Sequence, residues 1–161
     1  MYTGDRLVFI PGAVEALKLL QESFTLFIVT NQSGIGEGVF SAREYRAFDR
    51  HYRSLLREKG VRVEKAYCCP HTKQANCSCR KPGTYFLEQA VEEYGLDINN
   101  SYVIGDHPHD VETGFRAGAN TIYLLSGHGR KHLDELAITP DKICADLPEA
   151  ALWILRRATE A

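Results

Sequence analysis

Thr25–Leu26–Phe27–Ile28–Val29–Thr30 runs directly into Asn31–Gln32–Ser33–Gly34–Ile35–Gly36. The first six residues are nearly all apolar and β-branched or aromatic, without the alternation of a half-exposed strand. A strand buried on both faces reads this way, which is the habit of parallel sheets covered by helices. The next six are mostly small or polar and form a loop at the carboxyl end of that strand. In open α/β sheets, ligands bind at such strand ends.

The rest of the chain repeats the pattern. Upstream, Met1–Arg6 reads as loop and Leu7–Ile10 as a short apolar run. Pro11–Gly12 then opens a helix carrying Val14, Leu17, Leu19 and Leu20. Downstream, Ser41 and Glu44 have the spacing of a capping box, and Tyr45, Phe48, Tyr52, Leu55 and Leu56 follow at helical intervals up to a stop at Gly60. Val63–Cys68 is a second strand. Pro82–Gly83 restarts a helix with Phe86, Leu87, Ala90, Val91 and Tyr94, closed by Gly95. Ser101–Gly105 is a third strand, with a short helix after it to Gly118, and Thr121–Leu125 is a fourth. A polar loop, Gly127–His132, precedes a last edge strand at Lys142–Ala145 and a closing helix, Pro148–Arg157, whose Leu152, Trp153 and Leu155 are expected in the core. Strands alternating with helices predict βαβ units in a parallel α/β sheet.

Between the second strand and the third helix lies Tyr67–Cys68–Cys69–Pro70–His71, then Cys77–Ser78–Cys79–Arg80–Lys81–Pro82. Cys69, His71, Cys77 and Cys79 are spaced C-x-H-x5-C-x-C, a set that can enclose one structural zinc ion in a tetrahedral shell. Such a site orders a loop that has no core of its own, and here it would present Arg80 and Lys81.

The chain has 161 residues, with 44% hydrophobic and 25% charged, which fits one globular domain spanning residues 1–161. A net charge of −2 and the lack of a basic stripe argue against nucleic acid, so an anionic substrate must be held by local cations. No apolar run approaches the roughly 20 residues of a membrane span. The 5 cysteines, four of them clustered, point to metal binding in a reducing cytoplasm and not to a disulfide framework, and Cys144 is expected to be a small buried hydrophobe. The protein is expected to be a monomer without membrane or nucleic-acid partners.

Three polar clusters follow strands: Thr30–Ser33, Arg80–Lys81 and Asp106–Asp110. They combine hydroxyls, cations and two carboxylates suited to Mg²⁺, the groups that phosphoryl transfer requires. Taken singly, Thr30 could merely end a strand and Asp106 merely cap a helix.

Val29–Thr30–Asn31–Gln32–Ser33–Gly34, Cys69-x-His71, Cys77-x-Cys79–Arg80–Lys81–Pro82 and Gly105–Asp106 with Asp110 resemble the haloacid dehalogenase (HAD) superfamily. More narrowly, they resemble its heptose bisphosphate phosphatases and histidinol-phosphate phosphatases, over most of the chain from Phe9 to Leu125. The resemblance implies a three-layer Rossmann-like sheet with an inserted zinc loop at 69–79, acting on a small phosphorylated sugar. It implies that Thr30 and Lys81 act on the transferring phosphoryl group, with Asn31, Gln32, Ser33 and Arg80 binding substrate. Asp106 would ligate Mg²⁺, with Asp110 supporting that shell by orienting Lys81 or a metal water. Where the family's pattern commonly has Lys after that Asp, this chain has His107, expected at the substrate.

The family's nucleophile and general acid are two Asp in a D-x-D-G-T motif that ends the first, central strand. No D-x-D occurs in these 161 residues. Asp5 precedes its apolar run and reads as a turn residue. The chain is therefore expected to lack the first central strand and to be inactive alone. The alternative is a non-catalytic, zinc-stabilised relative that binds a phosphosugar or a protein partner.

Overall fold

The computed structural model describes residues 7–160; the reading of Met1–Arg6 as loop, and of Asp5 as a turn residue, lies outside them. The chain divides into two compact units, Met1–Cys77 and Ser78–Ala161. Each carries its own parallel ladder.

In the first unit, helix α1 (Ala13–Gln21) starts at Gly12, whose φ of 80° is the left-handed conformation open to glycine. Strand β1 (Leu26–Asn31) pairs in parallel with β2 (Val63–Cys69), with Thr30 opposite Cys68 and Asn31 opposite Cys69. The polar stretch after β1 is not wholly loop: Ser33–Gly36 makes one helical turn, α2. Between the strands runs α3 (Ala42–Glu58), opened by the expected box, in which Ser41 Oγ accepts the Glu44 N–H at 3.1 Å and Glu44 Oε2 accepts the Ser41 N–H at 2.7 Å. Its aromatic face stacks Phe48 on Tyr52 and sets Tyr52 against Phe9, with Leu56 fully buried beneath.

In the second unit, helix α4 (Tyr85–Tyr94) ends at Gly95 in the left-handed conformation. The ladder has the order β3 (Tyr102–Gly105), β4 (Asn120–Leu124), β5 (Lys142–Cys144), all parallel, so β5 is an edge as expected. Helix α5 (Pro108–Ala117) lies on one face of this ladder, because a Cβ at Gly114 would meet Val103 and Thr121, which are register partners. Helix α7 (Leu147–Glu160) covers the opposite face, where Trp153 meets Tyr102, the neighbour of Val103, edge-on at 6.4 Å. Successive strand residues point to opposite faces, so the unit is a helix–sheet–helix sandwich. Ile122, Tyr123 and Ile154 fill its core, and Cys144 is buried there as expected.

Two readings of the last segments need correction. Leu152 is 51% exposed, because Ile154 and the Ala150–Ala151 pair take the inward face of α7. The Gly127–His132 loop contains a helical turn, α6 (Gly129–His132), whose Gly129 sits against the Leu124 carbonyl where a Cβ would collide. Among the described residues, no helix is long and apolar enough to cross a membrane.

Candidate active site

The first unit sets two of the predicted features side by side. Parallel register brings the carboxyl ends of β1 and β2 together, so the Thr30–Ser33 segment and the start of the cysteine loop are neighbours. The Gln32 N–H donates to the Cys69 carbonyl at 2.8 Å, and Gln32 Nε2 donates to Thr30 Oγ1 at 2.9 Å. With Gln32 so bound, one lone pair of the Thr30 hydroxyl is occupied and its proton is left to point elsewhere. Gly36 lies so close to the Pro70 carbonyl and to Thr72 that a Cβ would stand 2.8 Å from that oxygen. The cysteine loop thus supports the turn after β1, a role the spacing alone did not reveal.

Within that loop the Cys69 Sγ is 3.6 Å from His71 Nδ1 and 3.6 Å from Cys77 Sγ. Ligands about 2.0–2.3 Å from one tetrahedral ion are separated by about this much. Thiolate and imidazole are the donors zinc prefers, and none of the five cysteines is in a disulfide that would compete. The residues therefore fit the ion. Cys79, two places beyond Cys77 and buried, belongs to the second unit, which begins at Ser78. Cys68, outside the set, is paired with Tyr45, and burial raises its thiol above the ordinary range. Burial likewise raises the Tyr45 hydroxyl.

In the second unit, Lys81 Nζ lies 2.6 Å from Asp110 Oδ1, with only 16% and 11% of the two side chains exposed. The other oxygen of Asp110 accepts the His107 N–H at 3.1 Å. Asp110 reaches both groups because it is the third residue of α5 and folds back over the end of β3, where Gly105 alone leaves room for its carboxylate. The cap of α5 is His107, not Asp106: His107 Nδ1 accepts the His109 N–H at 3.2 Å. Asp106 is left at the carboxyl end of β3 with its carboxylate free of the helix. Its Oδ2 accepts the His128 N–H at 2.8 Å, from the loop after β4, and stands against Gly127, whose φ of 61° lets the backbone approach. A single carboxylate with one oxygen uncommitted suits a hard divalent cation that keeps several waters. The Thr113 hydroxyl donates to the Gly83 carbonyl at 2.8 Å, tying the Lys81-bearing segment to α5.

Residues not foreseen surround this point. His107 has ring neighbours in His109, at 4.6 Å between centroids, and His132, at 4.8 Å. His132 Nδ1 meets Glu135 Oε1 at 2.8 Å, and this hydrogen bond holds the Glu135 carboxyl below its ordinary range. Burial first, and then His107, push the His109 imidazole down. The Gly127–His128–Gly129 run after β4 was the sequence signal for a loop folding back on the site.

Comparison with known proteins places the chain in company. Residues 78–150 match the HAD-hydrolase-like family model. The D-glycero-beta-D-manno-heptose-1,7-bisphosphate 7-phosphatase of Bordetella bronchiseptica is 30% identical over 157 residues, covering 96% of this chain and 87% of that one. The D-glycero-alpha-D-manno-heptose-1,7-bisphosphate 7-phosphatase of Photorhabdus laumondii is 34% identical over 134 residues, covering 78% of this chain and 73% of that one. The crystal structure of the B. bronchiseptica D,D-heptose 1,7-bisphosphate phosphatase, complexed with magnesium and phosphate, superposes with a TM-score of 0.88 at 27% identity, over 96% of this chain and 88% of that one.

Proposed function

Because the chain belongs to the haloacid dehalogenase-like hydrolases, in the branch of the heptose-1,7-bisphosphate 7-phosphatases, we propose that it serves to remove the 7-phosphate of a D-glycero-D-manno-heptose 1,7-bisphosphate. The observation that carries the reading is the half-buried Lys81–Asp110 pair beside Asp106, at the carboxyl end of a parallel strand. An ammonium has three donors, and Asp110 takes one of them and fixes the group in place. Lys81 then neutralises a phosphoryl oxygen, and Asp110 is a positioning residue that acts through it. Asp106 would hold Mg²⁺, which supplies charge neutralisation to the reacting phosphate. On the first unit, Thr30 offers a hydroxyl suited to a phosphoryl oxygen, and Asn31, Gln32 and Ser33 are the substrate-binding residues that the family pattern implies. Arg80 and His107 bind substrate. Zinc at Cys69, His71, Cys77 and Cys79 stiffens the loop that precedes Arg80 and Lys81.

The aspartyl-phosphate chemistry that this family membership implies needs a D-x-D pair, and none occurs in these 161 residues. Phosphate release from the heptose bisphosphate, measured for the chain alone and for the chain extended with a D-x-D-G-T segment, tests the reading. The extended chain should release one phosphate in a Mg²⁺-dependent manner and the chain alone should release almost none. Binding without release by the extended chain would favour the non-catalytic alternative. Turnover by the chain alone would mean that the nucleophile lies among these residues, with Asp5 first in question.

A further inference from the structure

The loop after β4 brings His132 and Glu135 to His107, and the phosphatase chemistry has no need of either. The two imidazoles have defined hydrogen-bonding states. His107 Nδ1 accepts the His109 N–H, so its ring proton is on Nε2, which is a donor. His132 Nδ1 is engaged by Glu135 Oε1 at 2.8 Å, and a carboxylate accepts, so His132 donates there and its ring is fixed with Nε2 pointing away from Glu135. The rings stand 4.8 Å apart at 53°. The exposed Arg130 and Lys131 precede His132 on the turn α6. One ligand atom from each of His107, His132 and Glu135 falls within 4.8 Å of the others, as a metal site would need. That use conflicts with the helix cap, because the lone pair His107 would offer is either taken at Nδ1 or protonated at Nε2.

We propose that His132, held by Glu135, joins His107 in a donor pair that recognises the second phosphoryl group of the substrate, the one not removed. The proposal rests on the phosphatase reading and names a specificity residue for it. His107 lies one residue beyond Asp106, so the pair stands beside the reacting centre without being part of it. The ligand is a dianionic phosphomonoester, for which two imidazole N–H groups and the neighbouring cations are complementary. Glu135 is a positioning residue whose hydrogen bond to His132 aims the ring.

Two measurements separate this inference from the reading beneath it. The first is the affinity of the chain for a heptose 1,7-bisphosphate and for the 7-monophosphate, by calorimetry. The wild type should prefer the bisphosphate, and His132→Ala should weaken the bisphosphate by about tenfold while leaving the 7-monophosphate unchanged, as expected for loss of one hydrogen bond to a charged group. Equal loss for both ligands, or no loss, would overturn the proposal. The second is the histidine-ring ¹H–¹⁵N spectrum during addition of inorganic phosphate, which needs neither turnover nor sugar. The His107 and His132 signals should both move in the wild type, and the His132 response should shrink in Glu135→Gln while that of His107 persists. Unmoved His132 signals would sink the donor pair whatever the enzyme acts on. A wild type that binds neither sugar phosphate while His132 still responds to phosphate would instead retire the heptose reading and keep the anion site.

Discussion

Lys81 Nζ and Asp110 Oδ1 are 2.6 Å apart, and both side chains are largely withdrawn from solvent. A charged pair so placed is valuable as a pair and costly to halve. Asp110→Asn leaves an ammonium without its counter-charge and should lower stability by about 2 kcal/mol, or roughly 4–8 °C in Tm for a chain of this size. Lys81→Met should cost a similar amount, and the double variant should cost clearly less than the sum. Thermal melts of the four proteins measure the coupling; strictly additive losses would show that the pair does not act as a unit.

The close approach at Gly105 gives an independent handle on the same carboxylate. A Cβ there would overlap the Asp110 carboxyl group, so Gly105→Ala must displace Asp110 from Lys81 or push β3 from α5. The expected result is loss of activity in the extended, D-x-D-bearing protein, with a stability loss of about 1–3 kcal/mol from overpacking. Full activity in a well-folded Gly105→Ala protein would refute the idea that the position of Asp110 matters.

Purified protein should carry about one zinc in the cysteine loop, and Cys77→Ser should release it. Because a Cβ at Gly36 would crowd Pro70 and Thr72, the loss should be felt beyond the loop itself, at Thr30 and Gln32. Metal analysis paired with amide hydrogen exchange over residues 30–36 reads both effects. An unchanged exchange pattern after metal release would show that the loop does not support the turn after β1.

The capping box of α3 predicts a pH-dependent local stability. Hydrogen bonds from the Ser41 backbone and side chain hold the Glu44 carboxyl below its ordinary range. A carboxylate with a depressed folded pKa contributes stability above its unfolded pKa, and that contribution is lost as pH falls through the folded one. Glu44→Gln, which removes the charge and keeps an acceptor, should therefore lower Tm slightly at neutral pH, and the gap to wild type should close below about pH 4. Melts across that range check it; a gap independent of pH would mean that the Glu44 charge takes no part.

The alternation of strands and helices was legible in the sequence because apolar, β-branched runs such as Leu26–Val29 and Ile122–Leu124 have few other ways to be buried. The box at Ser41 and the stops at Gly60 and Gly95 were legible because capping is local chemistry. The one-turn helices α2 and α6 were not, since so short a helix owes its existence to packing and not to propensity. Leu152 was misread for a related reason: the side of α7 that faces the sheet is set by which residues β3–β5 present to it.

At the candidate site, the clustering of Cys69, His71, Cys77 and Cys79 was readable from spacing alone, because a short loop must bring its own side chains together. That Asp110 orients Lys81 was one of the two roles the family resemblance offered it, and only the fold selects it over a metal water. Asp106 and Asp110 are four positions apart, and either could have met an ammonium. The choice falls to Asp110 because His107 caps α5 and turns its first residues back over Gly105, while the loop after β4 claims Asp106 through the His128 N–H. The sequence by itself determined the kinds of element and the donor set, which depend on neighbours along the chain. Only the tertiary structure decided the partner of Lys81 and brought His132 to His107, because those depend on the direction in which packed elements leave the sheet.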